Sequence, residues 1–132
     1  MKVAIPYWQG RVSPVFDESR EILLVEIEKG REVRRIEVDL RHSDPLLRAG
    51  YVASLGVEWL ICGAISISLE KALLSKNIKI FAYTRGSLKE VIEAFLNGNL
   101  TDPMYLMPGC RRRKTPAINY QAGSGWLGKA KT

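Results

Sequence analysis

One stretch, Gly56 to Phe81, constrains the fold more than any other. Val57 to Cys62 is a short, mainly apolar run that Gly63 ends. Ile65, Leu69, Ala72 and Leu73 then recur at helical spacing, with Ser66 where an N-cap belongs. Asn77 can take the left-handed turn that closes such a helix. Ile78 to Tyr83 is the second apolar run. Strand, helix, strand at this spacing predicts a βαβ unit, because parallel neighbours need a crossover. Glu58 and Lys79 are the only charges in the two strands, which predicts a sheet covered on both faces. The turn after Cys62 then lies at the carboxyl end of a central strand, where open α/β sheets bind ligands.

The rest of the chain reads as packing around this unit. Lys2 to Pro6 is an apolar first strand, and Tyr7 to Arg11 a loop with two aromatics. Val12 to Asp17 is irregular, since Pro14 turns Ser13 away from helix. Glu21 to Glu28 is a strand, Lys29-Gly30 a hairpin turn, and Arg31 to Leu40 the returning strand. Ile36, Val38 and Leu40 alternate with Arg35, Glu37 and Asp39, the pattern of a half-exposed edge strand. Val33 is out of phase with Ile36, which predicts a bulge between them. Ser43 or Asp44 caps a helix that starts at Pro45 and carries Leu47, Tyr51 and Leu55 as its apolar stripe. Ser87 and Glu90 form a capping box for a last helix, which Asn97-Gly98 closes. The predicted fold is α/β: a mixed five-stranded sheet with three helices, in the order β-β-β-α-β-α-β-α. This arrangement resembles the ribonuclease H-like group of folds.

Charge divides the chain. The net charge of +6 is carried by Arg111, Arg112, Arg113, Lys114, Lys129 and Lys131, and everything before them is balanced. We therefore expect one domain over residues 1–100 and a basic, mobile tail over 101–132, whose Gly- and Ala-rich end buries too little to offset ordering. No apolar run approaches the ~20 residues of a membrane span. Two cysteines make no disulfide framework, so a cytoplasmic protein with reduced thiols is expected.

Few residues offer chemistry. The strand ends lack the converging carboxylates of a two-metal nuclease, and no G-x-S-x-G elbow is present. The single histidine, His42, lies between a strand end and a helix cap; it is either a solvated loop side chain or a metal ligand. Cys62 ends a buried strand and reads as a small apolar residue. Cys110 precedes Arg111-Arg112-Arg113, whose guanidinium groups favour the thiolate; it is either a ligand or redox thiol or a lone exposed cysteine without function. The turn Gly63 to Ser66 can offer N–H groups to an anion or be closed by Ser66 capping. The basic run suits nucleic acid or an acidic protein, or is merely solvated.

Several segments together resemble one family: K-V-A-I-P at the start, G-R-V-S-P-V-F, I-L-L-V-E-I-E, A-S-L-G-V-E-W-L-I-C-G-A-I and V-I-E-A-F-L-N-G-N-L. It is the dinitrogenase iron–molybdenum cofactor biosynthesis family, which includes NifX, NafY and the carboxyl-terminal domain of NifB. The resemblance covers residues 1–100. It implies a ribonuclease H-like fold and a non-catalytic accessory protein that binds or carries an iron–sulfur or iron–molybdenum type cluster, or its precursor, among other proteins of cofactor assembly. It places the site on the loops after strands one and four, at Ser13, Phe16, Gly63 and Ser66. Two departures stand out. The family loop S-x-H-F-G is here Ser13-Pro14-Val15-Phe16-Asp17, with valine for the implicated histidine and aspartate for glycine. The turn G-G-[IM]-G-P-x-A is here Gly63-Ala64-Ile65-Ser66-Ile67-Ser68-Leu69. Without that imidazole, either Cys110 and His42 supply ligands or no cluster binds. The rival reading is an interaction module whose basic tail binds nucleic acid or an acidic protein.

Overall fold

The computed structural model describes residues 1–41 and 44–111. The strands are β1 (Lys2–Trp8), β2 (Arg11–Val12), β3 (Glu21–Glu28), β4 (Arg31–Asp39), β5 (Trp59–Ile61) and β6 (Lys79–Phe81). The helices are α1 (Pro45–Ser54), α2 (Ile67–Leu74) and α3 (Leu88–Asn97). Five strands form one mixed sheet in the order β4-β3-β1-β5-β6, and β2 pairs with the end of β1 as a sixth. β3 runs antiparallel to β1 and β4, whereas β5 is parallel to both β1 and β6. The βαβ unit is thus present, with Leu60 opposite Ile80.

Both faces of the sheet are covered. Val3, Ile5, Trp59, Ile61 and Phe81 pack under Val91, Ile92 and Phe95 of α3. Trp59 stacks on Phe81 with ring centroids 5.3 Å apart, and Phe95 meets both rings edge-on. On the other face, Ala4, Leu24, Leu60 and Ile80 pack under Ala49 and Val52 of α1 and Leu69 and Leu73 of α2. Cys62 belongs to this second core and is fully buried.

Local signals explain the joints. Ser66 Oγ accepts from Leu69 N–H at 3.2 Å, and Ser87 Oγ accepts from Glu90 N–H at 3.2 Å. Asn77 (φ 65°) and Gly98 (φ 77°) take the left-handed conformations that end α2 and α3. On β4, Glu32 opposes Ile27 and Arg34 opposes Glu26. Val33 is therefore the extra residue, and the bulge falls at Val33 itself.

Two readings are corrected, and the cap of α1 falls to one of its two expected residues. Tyr7 and Trp8 extend β1 rather than forming a loop, because Gln9 (φ 52°) and Gly10 (φ 76°) make a two-residue type I′ turn into β2. The sheet accordingly gains its sixth, two-residue strand. The fully buried stripe of α1 is Arg48, Ala49 and Val52; of the expected stripe, Tyr51 and Leu55 pack against this core partly buried, while Leu47 is 59% exposed. The cap of α1 is Asp44, whose Oδ1 accepts from Leu46 N–H at 2.8 Å; Ser43, the other expected cap, lies outside the described residues.

Past Leu100, which is fully buried, the chain stays on the body. Tyr105 accepts from Arg85 N–H, and Met107 N–H donates to the Tyr83 carbonyl, each at 2.8 Å. Among the described residues no helix is long and apolar enough to cross a membrane.

Candidate functional site

The parallel strands β1, β5 and β6 end on the same edge of the sheet, and the loops that follow them are tied together by main-chain hydrogen bonds. Ala64 N–H donates to the Pro14 carbonyl and Phe16 N–H to the Ala64 carbonyl, each at 2.8 Å. Tyr83 N–H donates to the Gly63 carbonyl at 2.8 Å, and Val12 N–H to the Gly86 carbonyl at 3.0 Å. Gly63 lies directly against the Ser13 and Pro14 carbonyls, too close for any side chain. Tyr83 has φ 57°, a conformation that costs a non-glycine residue about 1–3 kcal/mol.

The four expected loop residues, Ser13, Phe16, Gly63 and Ser66, do come together here. Ser13 is buried, and its Oγ accepts from Ser19 Oγ–H at 2.8 Å. The Phe16 ring is fully buried in the core, so Phe16 borders the loops through its main chain only. Gly63 supplies the close approach. The Ser66 hydroxyl caps α2, while its N–H donates to Asp17 Oδ1 at 2.8 Å. The helix start that was a candidate anion site therefore already holds a carboxylate, the chain's own Asp17.

Sequence reasoning missed Asp17 in this role, and missed Arg48. Arg48 is only 3% exposed. Its Nη1 donates to the carbonyls of Phe16 at 3.1 Å and Ser19 at 2.9 Å, and its guanidinium carbon lies 5.5 Å from the Phe16 ring centroid. It clamps the turn between those two residues. Burial pushes its pKa below the ordinary arginine value, and the Asp17 charge opposes that shift. An arginine between Leu47 and Ala49 gives no sign of its direction until the phase of the helix is known.

Outside the loops, Trp8 (62% exposed) and Val15 (36%) face a groove of about 330 Å³ shared with Tyr7, Pro14, Arg20 and Glu21. Burial, and then the charge of Glu21, holds the Tyr7 phenol above its ordinary pKa. Val15 makes this wall apolar.

Cys110 is half-buried and in no disulfide. Its N–H donates to the Met107 carbonyl at 3.1 Å. It therefore follows directly on the segment fastened at Tyr83, on the loop edge of the sheet. His42 lies outside the described residues. Among the described residues no group of three or more His, Cys, Asp or Glu side chains is gathered to hold a metal ion.

Comparison with known proteins gives a consistent result. The profile of the family described as dinitrogenase iron-molybdenum cofactor matches residues 1–98. Protein MJ0580 of Methanocaldococcus jannaschii is 28% identical over 106 residues, covering 76% of this chain and 89% of that protein. The crystal structure of PH0822 superposes with a TM-score of 0.71 at 26% identity, over 76% of this chain and 94% of that one. The apo orange protein of Desulfovibrio gigas shares the fold, with a TM-score of 0.63 at 22% identity over 75% of this chain and 89% of its own.

Proposed function

Because the chain belongs to the dinitrogenase iron–molybdenum cofactor family, we propose that it is a non-catalytic carrier that holds an iron–sulfur or iron–molybdenum type cluster, or its precursor, on the loop edge of the sheet. The family match over residues 1–98 carries this reading. The sheet order is read here as ribonuclease H-like, and the protein as a cytoplasmic accessory to other proteins of cofactor assembly. Gly63 and Ser13 fix the floor of the site, Phe16 anchors the loop from beneath, and Ser66 lines the start of α2.

The cluster is cargo in this reading. Few protein donors hold it, which suits loading and release. Cys110 is the thiolate donor, and His42 is the imidazole that replaces the one lost at Val15. Two cysteines cannot close a four-thiolate site, so the remaining ligands belong to the cargo, to small thiols or to a second chain. Family membership lends no support to a nucleic-acid role for the basic tail, most of which lies outside the described residues.

The test is anaerobic loading of the full-length protein with ferrous iron and sulfide, followed by desalting and iron analysis. Cys110→Ser is expected to lower bound iron at least severalfold, while Cys62→Ser lowers stability and leaves iron nearly unchanged. Equal iron in the wild type and Cys110→Ser removes Cys110 from the ligand set.

A further inference from the structure

The groove beside the loops combines two unlike surfaces. Exposed Trp8 and Val15 line it, and so do Glu18 and Glu21, with Arg20 the one cation among its described lining residues. Glu18 and Glu21 also line a wider hollow that adds Asp17 and Asp39. There Arg41 is paired with Asp39, and Arg48 is bonded to main-chain carbonyls. After burial, the charges of Glu21, Glu37 and Asp39 raise the Tyr7 pKa, so the field over the groove is negative. An exposed apolar patch with a charged rim marks a docking surface.

The chain itself holds a matching occupant. The described residues end at Arg111, just past Cys110. Cys110 bonds Met107, and Met107 bonds Tyr83 directly after β6, so the chain departs from the same loop edge. β6 is two strands from β1, a span of about 10 Å. Residues 112–125 separate Arg111 from Trp126, and a flexible chain of that length spans on the order of 20 Å. Residues 112–132 carry Arg112, Arg113, Lys114, Lys129 and Lys131 and no acid. Trp126-Leu127 is an apolar pair, and Lys129 and Lys131 follow it at once.

We propose that residues 126–131 of this chain dock in the groove, where Trp126 and Leu127 cover Trp8 and Val15 while Lys129 and Lys131 meet Glu18 and Glu21. A tether long enough for the span raises the local concentration of the segment to the millimolar range, so contacts too weak to hold a separate peptide suffice. Exposed ion pairs alone add little. The apolar pair therefore sets the seat, and the lysines set its direction. The docked segment straps the outer wall of the loop edge. This inference goes beyond the carrier reading and stands without it. Its test contains no iron, so its failure and a failure of cluster loading are read separately.

The experiment is a proton–nitrogen correlation spectrum of the iron-free, 15N-labelled full-length protein, in which Trp8, Trp59 and Trp126 give the indole N–H signals. Trp126→Ala is expected to shift the Trp8 indole and the Val15 amide, and to leave the indole of core residue Trp59 unmoved. Glu18→Gln combined with Glu21→Gln is expected to shift the Trp126 indole at least threefold further than Glu90→Gln combined with Glu93→Gln. The latter pair makes the same charge change on α3, outside both hollows. Tenfold dilution is expected to leave every wild-type signal in place. A Trp8 indole that Trp126→Ala does not move overturns the proposal, as do equal responses to the two glutamine pairs. A Trp126 signal that moves on dilution gives the groove to a second copy's tail and also overturns it. If Trp126→Ala fails to fold, the two glutamine pairs decide the matter by the same criterion.

Discussion

Gly63 and Pro14 meet main chain to main chain: a Cβ on Gly63 would lie 2.5 Å from the Pro14 carbonyl oxygen. The neighbour is backbone and is held by the Ala64 N–H bond to the same oxygen, so it cannot swing aside. Gly63→Ala is therefore expected to destabilise the protein by at least about 2 kcal/mol, in the upper part of the ~1–3 kcal/mol range for overpacked sites. Chemical denaturation of the purified variant checks this. An unchanged midpoint would mean that the two loops separate freely.

Leu60 and Leu74 give a matched pair. Leu60 is fully buried at the centre of the sheet, while Leu74 is half-exposed at the end of α2. Leu60→Ala is expected to cost ~2–5 kcal/mol, the usual range for a leucine cavity. Leu74→Ala is expected to stay within about 0.5 kcal/mol. Similar losses at the two positions would contradict the placement of β5 in the core.

The segment after Leu100 is fastened to the loop edge through Tyr105 and Met107, and Tyr105 packs against the α3 core. Ending the chain at Leu100 removes these contacts and their main-chain bonds. A loss of at least about 1 kcal/mol is expected, the net worth of a hydrogen bond or more. A truncated chain as stable as the full one would show that this segment adds nothing to the body.

Much of this was legible in the sequence. Ser66, Asn77, Ser87 and Gly98 act through their own side chains or backbone freedom, so residue type alone located the ends of α2 and α3. The out-of-phase Val33 exposed the bulge because a strand has a strict period of two. The face of α1 was not legible. Leu46 and Leu47 are bulky and apolar yet exposed, while the buried face holds an arginine. Hydrophobicity misleads there because Arg48 is held by main-chain carbonyls of a loop 29 and 32 residues away. The same holds for Asp17, which bonds an amide 49 residues away. Contacts set by tertiary approach leave no local pattern to read. The β1–β2 turn was missed for another reason: Gln9 takes a positive φ that asparagine or glycine more often signals.

The carrier reading is tested most directly by bound iron per chain after anaerobic loading, measured beside a family member that has histidine at the position of Val15. The expected result is stable iron and sulfide in both proteins after desalting, with visible absorption from sulfide-to-iron charge transfer. Iron retained by the histidine-bearing relative and none by this protein would contradict the account.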